Sequence, residues 1–94
     1  MITVTCTIKL QLNDVHSLKG KRRIIKSVVN RLSNEFKISV AEIAHHDIWQ
    51  TSTIGLVAVG TDKGYLHGLM EKAVRRVEQH RFDAYVEEYE IGFR

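Results

Sequence analysis

Two short stretches of the chain concentrate side chains able to do chemistry. Residues 45–50 read His45-His46-Asp47-Ile48-Trp49-Gln50. On an extended strand neighbouring side chains alternate, so His45, Asp47 and Trp49 would share one face and His46 and Ile48 the other. His45 beside Asp47 is an oriented imidazole–carboxylate pair, which suits general-base work, a metal site or a plain structural hydrogen bond. Spacing supplies no third ligand and no nucleophile, and adjacent His45 and His46 cannot hold one metal without a bulge. The expectation is therefore a structural or recognition role for His45, Asp47, Trp49 and Gln50, with no catalytic residue, metal ligand or cofactor assigned. A tryptophan here is more often a packing anchor than a stacking platform.

The second stretch is basic. Residues 16–37 hold Lys19, Lys21, Arg22, Arg23, Lys26, Arg31 and Lys37 against Glu35 alone, while residues 83–94 hold Asp83, Glu87, Glu88 and Glu90 against Arg94. If Ser17 caps a helix, Lys19, Lys21, Arg22 and Arg23 fall in its first two turns, where the macrodipole disfavours each cation by roughly 0.3–1 kcal/mol. Free N–H groups at a helix start attract anions, so added cations there make a cradle for phosphate or an acidic partner. On a helical wheel Lys19, Arg22, Arg23, Lys26 and Asn30 form a continuous stripe beside the apolar face, as a surface that tracks a nucleic-acid backbone would. A solvated, lysine-rich face kept for solubility is the plainer alternative, and there is little aromatic interleaving.

These residues need elements to position them. Ile2 to Leu12 alternate, with Ile2, Val4, Cys6, Ile8, Leu10 and Leu12 on one face and Thr3, Thr5, Thr7, Lys9 and Gln11 on the other, which predicts a half-buried strand. Leu18, Ile25, Val28, Val29, Leu32 and Phe36 keep a 3.6-residue period, predicting a helix from Leu18 to near Lys37. Residues 38–49 read as a second strand, with Ala41 and Ile43 on one face and Glu42 on the other, and Ile54 to Val59 as a third that closes a hairpin. Thr61 or Asp62 caps a second helix that carries Leu66, Leu69, Met70, Ala73 and Val77 to about His80. Ala84 to Phe93 form an outer strand with one wet face.

This order predicts an α+β, ferredoxin-like βαββαβ fold, a four-stranded antiparallel sheet with two helices on one face. The first helix's start and the second strand's end then share a rim. That rim should gather His16, Ser17, Lys19, Arg22 and Arg23 with His45, Asp47, Trp49 and Gln50, joined by Arg75, Arg76 and Arg81 from the end of the second helix.

The 94 residues, 44% of them apolar, suffice for one hydrophobic core and so for a single domain over 1–94. Threonines and Lys9 interrupt the apolar residues of the amino-terminal stretch, so neither a secretory h-region nor a membrane span is expected and the cytoplasm is the expected location. The lone Cys6 can make no internal disulfide and no structural zinc site, and it sits among core-facing residues. A net charge of +3 and a pI near 9.2 are only mildly basic.

The segments His16-Ser17-Leu18-Lys19-Gly20-Lys21-Arg22 and Val40-Ala41-Glu42-Ile43-Ala44-His45-His46-Asp47-Ile48-Trp49-Gln50, followed by Ile54-Gly55-Leu56, resemble the YlxP-like family of small bacterial proteins, a domain of unknown function (DUF503). The resemblance runs nearly the full length. It implies a ferredoxin-like fold and, because the family's genes often lie among those for translation and ribosome-assembly factors, a role near RNA or the ribosome. Gly20 stands where the family usually has glutamate, which removes half of a capping box at a cost of roughly 0.5–1 kcal/mol. Thr51 replaces a common arginine, and His46 a usual glutamine. Together these readings lead to a non-enzymatic RNA-binding or ribosome-associated module that uses Ser17, Lys19, Lys21, Arg22, Arg23, Lys26 and Asn30, with His16, His45, Asp47, Trp49 and Gln50 at the rim. A protein-interaction module, for instance a homodimer, is the alternative, and a small enzyme or metal protein around His45 and Asp47 has least support.

Overall fold

The computed structural model describes residues 1–80 and 83–94. The elements follow in the order β1 (Ile2–Leu12), α1 (Leu18–Glu35), β2 (Ser39–Ala44), β3 (Thr51–Gly60), α2 (Lys63–Gln79) and β4 (Ala84–Phe93). All strand pairings are antiparallel and the sheet runs β2-β3-β1-β4, the split βαβ arrangement.

The period-two pattern of β1 sends Val4, Cys6, Ile8, Leu10 and Leu12 inward, and β3 adds Ile54, Leu56 and Ala58 beside them. Against this face pack Ile25, Val28 and Leu32 from α1 and Leu66, Met70, Ala73, Val74 and Val77 from α2, in one contiguous core. Both helices therefore cover the same side of the sheet, and each fully buried aliphatic contributes about 1.5–3 kcal/mol relative to exposure. The other side is open.

Ser17 caps α1 as the sequence predicts, its Oγ accepting from the Gly20 N–H at 3.0 Å. At the far end the helix stops at Glu35, two residues before Lys37, because Phe36 turns to an extended conformation and its N–H returns to the Leu32 carbonyl at 2.9 Å. Of the two candidate caps for α2, Asp62 is the one that accepts, from the Tyr65 N–H at 3.1 Å.

Two strand boundaries differ from expectation, and for one reason. β2 ends at Ala44 rather than running on to Trp49, since His45 takes a left-handed φ of 65° and residues 45–50 leave the sheet. β3 starts earlier than Ile54, at Thr51, because Thr51, Ser52 and Thr53 pair with Gln11, Leu10 and Lys9 of β1. On the outer strand a bulge between Lys9 and Leu10 leaves Glu87 as the extra residue, and on the inner face Tyr89 donates to Glu71 of α2 at 3.0 Å. Among the described residues no helix is long and apolar enough to cross a membrane.

Cys6 is 1% exposed, and burial, reinforced by the Glu71 charge, pushes its thiol up to about 12. It should resist alkylation at pH 8 in the native protein and react only on unfolding, which a mass-spectrometric iodoacetamide time course with and without urea would show. The same raised value gives a sign for stability. The unfolded thiol ionises near 9 and the native one does not, so stability falls as pH climbs from about 9 toward 12, and urea midpoints across that window should show it.

Candidate nucleic-acid interface

At the start of α1 the helix repeat sorts the cations by direction. Lys19, Arg22, Arg23 and Lys26 are exposed, with exposed Asn30 one turn further along. Among the described residues none of these four cations has a carboxylate within 4 Å, and the first turn carries no acidic side chain. The stripe is thus assembled as predicted and is not neutralised by the protein's own acids. Ser17 spends its hydroxyl on the helix cap.

Lys21 does not belong to that surface. Its place on the wheel turns it toward the sheet, where it is 1% exposed, and its ammonium lies 3.1 Å from Oε2 of Glu42 on β2. The same ammonium donates to the His45 carbonyl, and the Ser52 hydroxyl of β3 donates to Glu42 Oε2 at 2.6 Å. A buried ammonium survives only with such partners. The expectation that Lys21 would meet an anionic ligand is therefore corrected: its ligand is internal. Neither Glu42 nor Ser52 is among the site residues expected from sequence. The available signal was a single carboxylate on the inward side of a strand whose other inward residues are Val40 and Ala44.

The loop after β2 also differs from its expected geometry. His45 lies outside the strand, so the alternation that would align His45, Asp47 and Trp49 no longer applies. No hydrogen bond or ion pair joins His45 to Asp47. Instead His45 Nδ1 lies 2.9 Å from Thr53 Oγ1, and His46 Nε2 lies 3.2 Å from the Glu42 carbonyl. The His45 carbonyl also accepts from the Ile48 N–H at 3.2 Å, and the Gln50 carbonyl from the Leu12 N–H at 2.8 Å, which ties the loop back to β1. Asp47, Gln50 and His16 are exposed, and Trp49 is 42% exposed, so it does not anchor the core. Among the described residues no three His, Cys, Asp or Glu side chains are placed to hold a metal ion.

The shared rim is real for α1 and the 45–50 loop, joined through Lys21 and His45. It does not extend to the arginines of α2. Arg76 pairs with Glu35 at 2.6 Å, at the opposite end of α1, about 25 Å of helix from Leu18, and Arg75 lines the same concavity as Glu35 and Phe36. Arg81 lies outside the described residues.

On the open side of the sheet β4 places Glu87, Glu88 and Glu90, all exposed. Gln11 donates to Glu87 Oε2 at 2.8 Å, and this bond, helped by Lys9 at 3.5 Å, holds the Glu87 carboxyl below the ordinary range. Toward β2 the same side becomes apolar, with Ile43 52% and Val57 42% exposed along a groove of about 410 Å³ and Val59, 60% exposed, further along β3. Ile43 lies across Gly55, where an added Cβ would sit 2.9 Å from Ile43 Cγ2.

A family described as protein of unknown function (DUF503) matches residues 3–91. The uncharacterized protein YlxP of Bacillus subtilis (strain 168) is 38% identical over 50 residues, 53% of this chain and 54% of that protein, so the match spans about half the length of the relative. Among solved structures, LarC2, the C-terminal domain of a cyclometallase involved in the synthesis of the NPN cofactor of lactate racemase, in its apo form, is similar over 100% of this chain and 58% of its own. Its identity is 13% and its TM-score 0.40, values too low to bear on function.

The buried pair makes a stability prediction. Lys21→Met leaves Glu42 without its counter-charge and should cost about 3–5 kcal/mol in urea unfolding, whereas adding Glu42→Gln to that variant should recover a substantial part, because the Ser52 donor keeps an amide acceptor. Equal destabilisation of the single and double variants would show that the charge pair is not the source.

Proposed function

The chain belongs to the DUF503 family of proteins of unknown function, and we propose that it is a non-enzymatic, cytoplasmic RNA-binding or ribosome-associated module whose docking surface is the exposed flank of α1. Lys19, Arg22, Arg23 and Lys26 meet phosphates, Asn30 lies in the same stripe, and His16, Asp47, Trp49 and Gln50 border it at the rim. One observation carries this reading. Lys19, Arg22 and Arg23 stand in the first two turns of α1 and Lys26 follows in the third, none of them with a carboxylate within 4 Å among the described residues. The helix dipole opposes cations in those first turns. A polyanion docking there reverses the sign of the effect, and solubility alone asks for no such clustering.

A second reading has its own observation. The apolar strip of Ile43, Val57 and Val59 on the open sheet side is the kind of surface a protein partner covers, a second copy included. Sedimentation at high concentration gives a monomer if no homodimer forms.

Filter binding to structured RNA tests the first reading. With about four phosphates neutralised, log K should fall against log[salt] with a slope of roughly −3 to −4. Replacing Lys19, Arg22, Arg23 and Lys26 by alanine should flatten the slope by about one for each cation removed and abolish binding near physiological salt. Retention of affinity by that variant removes the proposal.

A further inference from the structure

We infer that the ligand of the α1 flank is double-stranded RNA read by backbone and shape, an inference that rests on the nucleic-acid reading above. Four-stranded sheets of this topology take single strands by stacking bases on aromatic rings of the central strands. Here the open side of the central strands offers Thr3, Thr5, Thr7, Lys9 and Gln11 from β1 and Thr51, Thr53, Gly55, Val57 and Val59 from β3. None is aromatic. The tyrosine on that side, Tyr85, stands on the outer strand beside Glu87 and Glu88, whose charge, with that of Glu90, repels phosphate. The sheet is thus closed to the usual single-strand mode by chemistry and by charge.

What is left is the helix flank, on the far side of the molecule from those glutamates. Lys19 to Asn30 spans about 16 Å along the axis. No aromatic residue lies among residues 18–35, and the exposed rings of His16 and Trp49 stand only at the rim, so a single strand laid along the cations would find no run of rings to stack on. Between and beside the cations stand exposed Ser27 and Asn30, short side chains that donate and accept without projecting far. A-form RNA presents a wide, shallow minor groove lined with 2′-hydroxyls and edged by phosphates. A low-relief surface with cations for the edges and short hydrogen-bonding groups for the hydroxyls matches it. The deeper major groove of B-DNA asks for side chains that reach inward to base edges.

Fluorescence anisotropy with an RNA duplex of about 20 base pairs, its two separate unstructured strands, and the DNA duplex of the same sequence, at about 0.1 M salt, tests this. The RNA duplex should bind at least about tenfold more tightly than either strand and than the DNA duplex. Ser27→Ala with Asn30→Ala should lower RNA-duplex affinity several-fold and leave DNA-duplex affinity unchanged. If the single strands bind as well as the duplex, and the four-alanine variant abolishes both, the shape inference fails and the nucleic-acid reading stands. Equal affinity for the two duplexes also overturns the inference. Binding to none of the probes removes both.

Discussion

The ion pair between Lys21 and Glu42 joins the parts of the molecule on which everything else is mounted. Lys21 comes from the first turns of α1, Glu42 from the edge strand β2, Ser52 from the start of β3, and the His45 carbonyl from the loop between the two strands. Charges with so little exposure gain stability only if every donor and acceptor is matched, and here an ammonium, a carboxylate, a hydroxyl and a carbonyl satisfy one another. With His45 held in its left-handed conformation, β2 must stop and the loop must fold over the start of α1. The position of the basic flank relative to the rim follows from that arrangement.

Charge is otherwise sorted by layer. Cations occupy the outer flank of α1, carboxylates the open side of β4, and the apolar core lies between the helices and the sheet. Glu35, Glu42 and Glu87 pair with basic side chains, but Lys19, Arg22, Arg23 and Lys26 on one side and Glu88 and Glu90 on the other make no ion pair among the described residues, so each side keeps its own field. That is why a modest net charge conceals a strong local one, and why partners of opposite character would approach from different directions.

The architecture was readable because its signals are periodic. The alternation of β1 and the 3.6-residue repeats of the helices each depend on many residues, so one exception such as Lys21 leaves the pattern intact. The same exception draws the wrong partner from sequence: the wheel that places Lys19, Arg22, Arg23 and Lys26 outside sets Lys21 toward the sheet, but its charge argues for an anionic ligand in solvent, and only the carboxylate on β2 overrules that. The His45–Asp47 pair failed for a related reason. Strand alternation ends at His45, whose non-glycine φ is 65°, and nothing in the histidine's identity announces such a conformation. The α2 arginines depended on the relative offset of two helices, a quantity that no local pattern encodes.

The two ends of α1 are both fastened. The start is held through Lys21, while the end has Leu32 in the core, Phe36 packed against it, and Glu35 between Arg31 and Arg76 at 3.2 and 2.6 Å. The charged groups of the flank therefore ride on a stiff rod rather than on a tail that must first be straightened. On association only their side-chain rotamers have to be ordered, at about 0.5–1.5 kcal/mol for each one immobilised, and the backbone surrenders no freedom. A surface of this kind favours partners whose own charges are spaced at fixed intervals over those that must be gathered into place.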